Sequence, residues 1–229
     1  MNMTVKLVSF ILLSLGTLII LSCSIGNTET QSGHDYFVFL NTNPEREPLD
    51  SAAVATLQAG HISNIQRLAS EKKLIVAGPF YTGGGIFIFR APSMDTLNQW
   101  LSTDPAISVG RFKLEKYLLI TMAGRICETD TNYTMVTYQC TRLKPVHIGQ
   151  NPLAGSTYRD FLKQLAADSV LIFAGQFDND YHDGILITNF PNLKSAKQEI
   201  AQSTLVVSGD LTCEMKELWI AKESFGPEN

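Results

Sequence analysis

The chain has 229 residues, of which 45% are hydrophobic and 17% charged, with a formal net charge of −4. That balance predicts a packed globular body and excludes an intrinsically disordered one. The sequence has no basic cluster, which argues against nucleic acid as a partner.

Taken in chain order, Lys6 precedes an almost wholly apolar run, "LVSFILLSLGTLIIL", from Leu7 to Leu21. Its length fits the core of a signal peptide and is short for a spanning helix. It ends in "ILSC", with small Ser22 directly before Cys23, a pattern that resembles a bacterial lipobox. The expectation is a lipoprotein signal over 1–22 and a lipid anchor on Cys23, holding a soluble body in the bacterial cell envelope outside the cytoplasm. The alternative is an uncleaved N-terminal anchor. Residues 23–34, rich in Ser, Thr, Asn and Gly, read as a flexible tether.

"DYFVFLN" (35–41) reads as a strand. Asp50 is a candidate cap for a helix from Ser51 to about Lys72, with Val54, Leu57, His61, Ile65 and Leu68 on one stripe. "KLIVAGPF" and "GIFIFRA" are strands around the turn "YTGGG". That glycine run lacks the Lys-Ser/Thr of a phosphate loop and reads as a hairpin turn. Ser93 caps a second helix, which Asp104-Pro105 ends. "RFKLEKYLLI" is the closing strand, and 122–132 reads as a linker.

The same order then returns. "HISNIQRLASEKKLIVAGPF" (61–80) aligns with "YRDFLKQLAADSVLIFAGQF" (158–177), at an offset of about 97 residues. "GIFIFRAPSMDTLNQWL" (85–101) aligns with "GILITNFPNLKSAKQEI" (184–200). The fold class expected is α+β: two tandem ferredoxin-like β-α-β-β-α-β units, over 35–121 and 133–223, packed sheet to sheet because each leaves one apolar sheet face bare. Gly78 and Gly175, at matching strand ends, suggest close backbone approach or a bulge.

Cys127, Cys140 and Cys213 form neither a C-x-x-C nor a zinc pattern, so no metal site is expected. Cys140 and Cys213 fall on neighbouring strands, where either a disulfide or two free thiols would fit. His182 and Asp183 lie in a lengthened loop, read as solvated rather than ligand-binding.

The first unit resembles a YciI-like (YCII-related) domain of the dimeric α+β barrel superfamily. The resemblance rests on His61 early in the first helix, "AGPF" at 77–80, "DP" at 104–105 and the strand carrying Glu115. It implies a pairing of two such domains, here within one chain as an intramolecular pseudo-dimer, and a monomeric chain. It also implies a site on His61 and Asp104, with Gly78, Pro79 and Phe80 shaping a pocket wall. The second unit departs from the pattern, with Tyr158, Gln176 and Ser203 in place of His61, Pro79 and Asp104. The resulting expectation is a cofactor-free enzyme acting on an unidentified small molecule, His61 moving protons and Asp104 orienting it. The alternative is a lipoprotein that binds a small ligand or serves as a rigid body, without catalysis.

Overall fold

The computed structural model describes residues 33–129, 133–147 and 149–227. The expected signal peptide, Cys23 and nearly all of the tether lie outside the described residues. Among the described residues no helix is long and apolar enough to cross a membrane.

Among the described residues, ten strands and six α-helices follow one another in an order that contains β-α-β-β-α-β twice, a short helix being added before the last strand each time. The first set is β1 (His34–Thr42), α1 (Ser51–Ser70), β2 (Leu74–Pro79), β3 (Gly85–Ala91), α2 (Met94–Leu101), α3 (Pro105–Ser108) and β4 (Phe112–Ala123). After β5 (Arg125–Ile126) comes β6 (Met135–Pro145), α4 (Ser156–Ala167), β7 (Leu171–Asp178), β8 (Gly184–Thr188), α5 (Leu193–Ala201), α6 (Thr204–Val207) and β9 (Leu211–Ala221). β10 (Phe225–Gly226) pairs with β5. The caps are local chemistry. The side chains of Asp50, Ser93 and Asn192 accept from backbone N–H groups of Ala53, Thr96 and Ser195, satisfying donors that a helix start leaves open.

The sheet differs from the expected pair of stacked sheets. Its eight strands run β2-β3-β1-β4-β7-β8-β6-β9, so the two sets of four join edge to edge through β4 and β7. The segment expected as a linker is partly strand for the same reason. β4 pairs with β1 up to Leu118 and then with β7 from Leu118 to Ala123, and Arg125–Ile126 pairs with β10. The far edges also meet: Phe80, just past β2, bridges Leu218 of β9, and Tyr81 N–H donates to the Glu217 carbonyl.

A sheet whose ends return to each other has an inside. Phe37, Phe39, Ile86, Ile88, Phe173, Phe177, Ile185, Ile187, Leu218 and Ile220 fill it, in strict alternation along their strands. The opposite faces carry two separate apolar clusters beneath the helices, around Leu68, Phe89 and Leu97 in the first half and Tyr158, Leu165 and Ile200 in the second.

The repeated phrase marks the two places where the halves meet. A Cβ added to Gly175 would lie 2.6 Å from Leu119 Cδ1, and one added to Gly78 would lie 2.9 Å from both Leu218 Cδ1 and the Trp219 carbonyl oxygen. Glycine at each point is what lets β7 close on β4 and β2 on β9.

All three described cysteines are free. Register decides this for Cys140 and Cys213: Cys140 stands opposite Lys216, while Cys213 stands opposite Leu143. The odd offset sends one thiol into the interior and the other toward the helices, where no disulfide can span them.

Candidate functional site

His61 occupies the buried face of α1, its ring 6.0 Å from that of Phe87 and 5.8 Å from that of Phe112. The approach of α3 to this face depends on the residue next door. A Cβ on Gly60 would meet Pro105 Cγ at 2.9 Å, closer than such contacts normally come. With glycine there, Asp104 reaches His61: Nδ1 and Oδ2 are 2.7 Å apart, with Asp104 only 1% exposed.

The carboxylate is tied down on every side. Oδ1 accepts from the Ala106 and Ile107 N–H groups at the start of α3, and Oδ2 also accepts from Asn64 Nδ2 at 3.3 Å. Asn64 is fixed in turn by Arg67 and Thr103, which donate to its Oδ1 at 2.8 and 3.0 Å. Burial by itself pushes the Asp104 carboxyl up. The hydrogen bond and charge of His61, the Ile107 amide and Asn64 outweigh that and hold it below its ordinary value. Asp104 is therefore an anion at neutral pH, suited to fixing the imidazole tautomer and stabilising an imidazolium. Nε2 of His61 has no hydrogen-bond partner among the described residues, leaving one ring nitrogen free for chemistry.

Beside this pair lies a hollow of about 190 Å³, lined by Thr42, Arg46, Leu57, Gln58, Arg111 and Phe112, together with Val54 and Ala106. Leu57 and Gln58 are one helical turn before His61, and Phe112 touches its ring. His61 itself does not line the hollow.

The structure brings His61 and Asp104 together and places the other expected pocket residues elsewhere. Gly78 and Pro79 sit on the β2 edge against β9, and Phe80 points into the barrel interior rather than toward His61. The family resemblance joined them by proximity along a strand, but side chains on alternate positions face opposite sides of a sheet. In the second half, the positions matching His61 and Asp104 make no comparable pair. Tyr158 is fully buried in an apolar cluster with Leu205, and Ser203 makes no side-chain cap bond.

A second polar constellation was not anticipated. Arg142 on β6 donates through Nε and Nη2 to Asp183 Oδ2 at 2.9 and 2.6 Å, and through Nη1 to Glu115 Oε2 at 2.8 Å. Tyr117 also donates to Glu115, at 2.7 Å, and the guanidinium lies over the rings of Phe39 and Tyr117. Burial disfavours the charged Arg142, but Glu115 and Asp183 reverse this and keep it firmly protonated. Glu115 is likewise pushed up by burial and brought below its ordinary value by Tyr117, Arg142 and Asn41. Asp183 is thus a buried counter-ion rather than a solvated loop residue. The signal was present in "TYQCTR": alternation places Arg142 in phase with inward-facing Tyr138 and Cys140. A charge on an apolar phase demands a partner.

Residues 35–119 match the family model of the YCII-related domain. The match spans both His61 and Asp104 and supports a YciI-like domain in this part of the chain. No curated protein matches the sequence significantly. Solved structures with a similar course include a "putative monooxygenase" from Lactobacillus acidophilus, at 8% identity and a TM-score of 0.47, covering 86% of this chain and 99% of that one. Another of the same description, from Fusobacterium nucleatum, has 7% identity and a TM-score of 0.47 over 87% and 96%. An anthrone oxidase-like protein has 9% identity and a TM-score of 0.46 over 83% and 92%.

Proposed function

We propose that the chain is a small-molecule enzyme of the YciI-like kind whose working site is the His61–Asp104 pair of its first half. The observation that carries this reading is the 2.7 Å contact of Nδ1 with a buried, ionised carboxylate, which leaves Nε2 without a hydrogen-bond partner among the described residues. In such an arrangement Nε2 takes a proton from a substrate and returns it to another position or to a leaving group. Asp104 stays ionised throughout and stabilises the transient imidazolium. Isomerisation, elimination and hydrolysis all need only this shuttle.

The two halves, on this reading, are fused copies of one ferredoxin-like unit forming an internal pseudo-dimer. The strand order second-third-first-fourth in each half and the matched contacts of Gly78 and Gly175 support it. Anchoring through Cys23 to a membrane of the bacterial envelope remains part of the proposal on sequence grounds alone.

One observation favours a second reading, a non-catalytic binding or structural lipoprotein: Asp104 also caps α3, so the pair has a structural use. Screening purified protein against small-molecule substrates of the three reaction types separates the two. An activity that disappears in His61→Ala and in Asp104→Asn supports the enzyme; one that survives His61→Ala sinks it.

A further inference from the structure

The two halves differ most at one end of the barrel. Register equates Phe37, Phe39, Asn41, Glu115 and Tyr117 with Cys140, Arg142, Lys144, Glu214 and Lys216, since Phe39 faces Ile86 and Glu115 as Arg142 faces Ile185 and Glu214. Three of the first-half positions, Phe37, Phe39 and Tyr117, carry aromatic rings, with Phe177 stacked on Tyr117 at 4.7 Å. The second-half positions carry a small thiol, three cations and the carboxylate of Glu214. A cavity of about 60 Å³ opens there, lined by Phe39, Asn41, Phe80, Glu115, Cys140, Arg142, Lys144, Glu214 and Lys216.

The charges around it are unevenly matched. Glu115 and Asp183 occupy the Arg142 guanidinium. A single carboxylate, Glu214, is shared by two ammonium groups, Lys216 at 3.0 Å and Lys144 at 3.5 Å. The Lys144–Lys216–Glu214 corner therefore carries one positive charge in excess locally, and the adjoining Arg142–Glu115–Asp183 cluster one negative. The cavity walls are the rings of Phe39 and Phe80 and the Cys140 thiol, which burial pushes up to about 12 and so keeps neutral.

The cavity lies against the more sparsely paired of the two seams. In the β4–β7 seam, Phe177 N–H turns inward along the sheet to Asp183 of the β8 side, so Gln176, one residue earlier, directs its N–H at β4. In the β2–β9 seam, Phe80 N–H bonds to Gly84 in the same manner, so the matching N–H facing β9 would be that of Pro79, which has none. The backbone pairing of this seam is the Phe80–Leu218 bridge with the Tyr81–Glu217 bond, to which Tyr81 adds a 2.9 Å side-chain hydrogen bond with Thr137. Phe80 and Lys216, with its ammonium 5.2 Å from the Phe80 ring centre, stand at both the seam and the cavity.

We propose that this end of the barrel binds a short-chain carboxylate, its charge held by Lys144 and Lys216 and its hydrocarbon end against Phe39, Phe80 and Cys140. The site lies inside the barrel, on the opposite face of the sheet from His61, and does not depend on the function assigned to that residue.

Calorimetric titration of the purified chain with acetate, propionate and butyrate in low-chloride buffer tests it, with chloride and inorganic phosphate as comparison anions. Saturable one-to-one binding of a carboxylate is expected, weakened at least about tenfold in Lys144→Gln/Lys216→Gln, whose partly exposed lysines tolerate replacement. Cys140→Phe, which restores the ring that Phe37 supplies in the other half, is expected to abolish binding with the lysines intact. Thermal melts confirm that each variant is folded. The proposal is overturned by no saturable binding, by an equal response to chloride, by wild-type affinity in either variant, or by binding that His61→Ala removes and the lysine variant keeps.

Discussion

Cutting the His61–Asp104 contact from each side, and from both, measures what the pair is worth. Asp104→Asn keeps an oxygen for the Ala106 and Ile107 amides, so the α3 cap survives and the charge is what is lost. His61→Ala removes the ring between Phe87 and Phe112 and leaves a 1% exposed carboxylate with only Asn64 and two amides. A buried hydrogen bond to a charged group contributes about 1.5–3 kcal/mol. The double variant should therefore be less destabilised than the sum of the singles by about 2 kcal/mol, seen as about 4–8 °C of non-additivity in melting temperature for a chain of this size. The coupling should also depend on pH with a defined sign. The Asp104 carboxyl lies lower folded than unfolded, so its stabilisation is fully present above the ordinary carboxylate value of about 4 and is lost as pH falls through the folded value. Urea or thermal unfolding of the four proteins at pH 7, repeated in steps below pH 4, reads this out. A coupling under about 0.5 kcal/mol at pH 7 would refute the argument that the two side chains act as a unit.

Gly60→Ala gains about 1 kcal/mol of helix propensity but drives a methyl into Pro105, so it should separate α3 from α1 and lower any His61-dependent activity more than the melting temperature; an unchanged His61 environment by NMR would contradict this. Arg142→Met strands Glu115 and nearly buried Asp183, and should cost about 3–5 kcal/mol in urea unfolding; a loss under 1 kcal/mol would show that the cluster is better solvated than its geometry implies. Pro79→Gln, which borrows the residue of the tighter seam, should restore an N–H facing β9 and slow amide exchange along Gly78–Tyr81 and Leu218–Ile220, with no slowing counting against the proline as the cause. Cys140 should resist thiol reagents in the native protein at pH 8 and react only on unfolding, because burial keeps it protonated; native labelling at that residue would overturn the assignment.

Most secondary elements were legible because their signals are local. "GIFIFRA" and "GILIT" became strands with the expected ends, and Asp50 and Ser93 cap the helices they precede. Asp104-Pro105 reads as the end of a helix, whereas Asp104 starts one. The four-residue α3 is too short to show a period, and only its cap chemistry, an Asp before a Pro, points to it. The partnership of His61 with Asp104 came from a family resemblance and not from spacing, since nothing in a separation of 43 residues brings two side chains together. Nothing near Arg142 or Asp183 in sequence supplies its partner, so Asp183 reads as a solvated loop residue and only the fold shows the buried ion pair.

The sequence by itself determined most of the elements, the recurrence of their order, and the presence of Tyr158, Gln176 and Ser203 where the first half has His61, Pro79 and Asp104. These follow from propensity, periodicity and capping, which act over a few residues. Only the tertiary structure decided that the two sets of strands share one sheet, that Cys140 and Cys213 face opposite ways, and that one seam is paired from Leu118 to Ala123 while the other is paired only around Phe80 and Tyr81. Those outcomes depend on register between strands about a hundred residues apart, where a shift of one position sends every side chain to the other face. Pro79 and Gln176 show the division: their difference is plain in the sequence, but it becomes a missing hydrogen bond only once β2 lies beside β9.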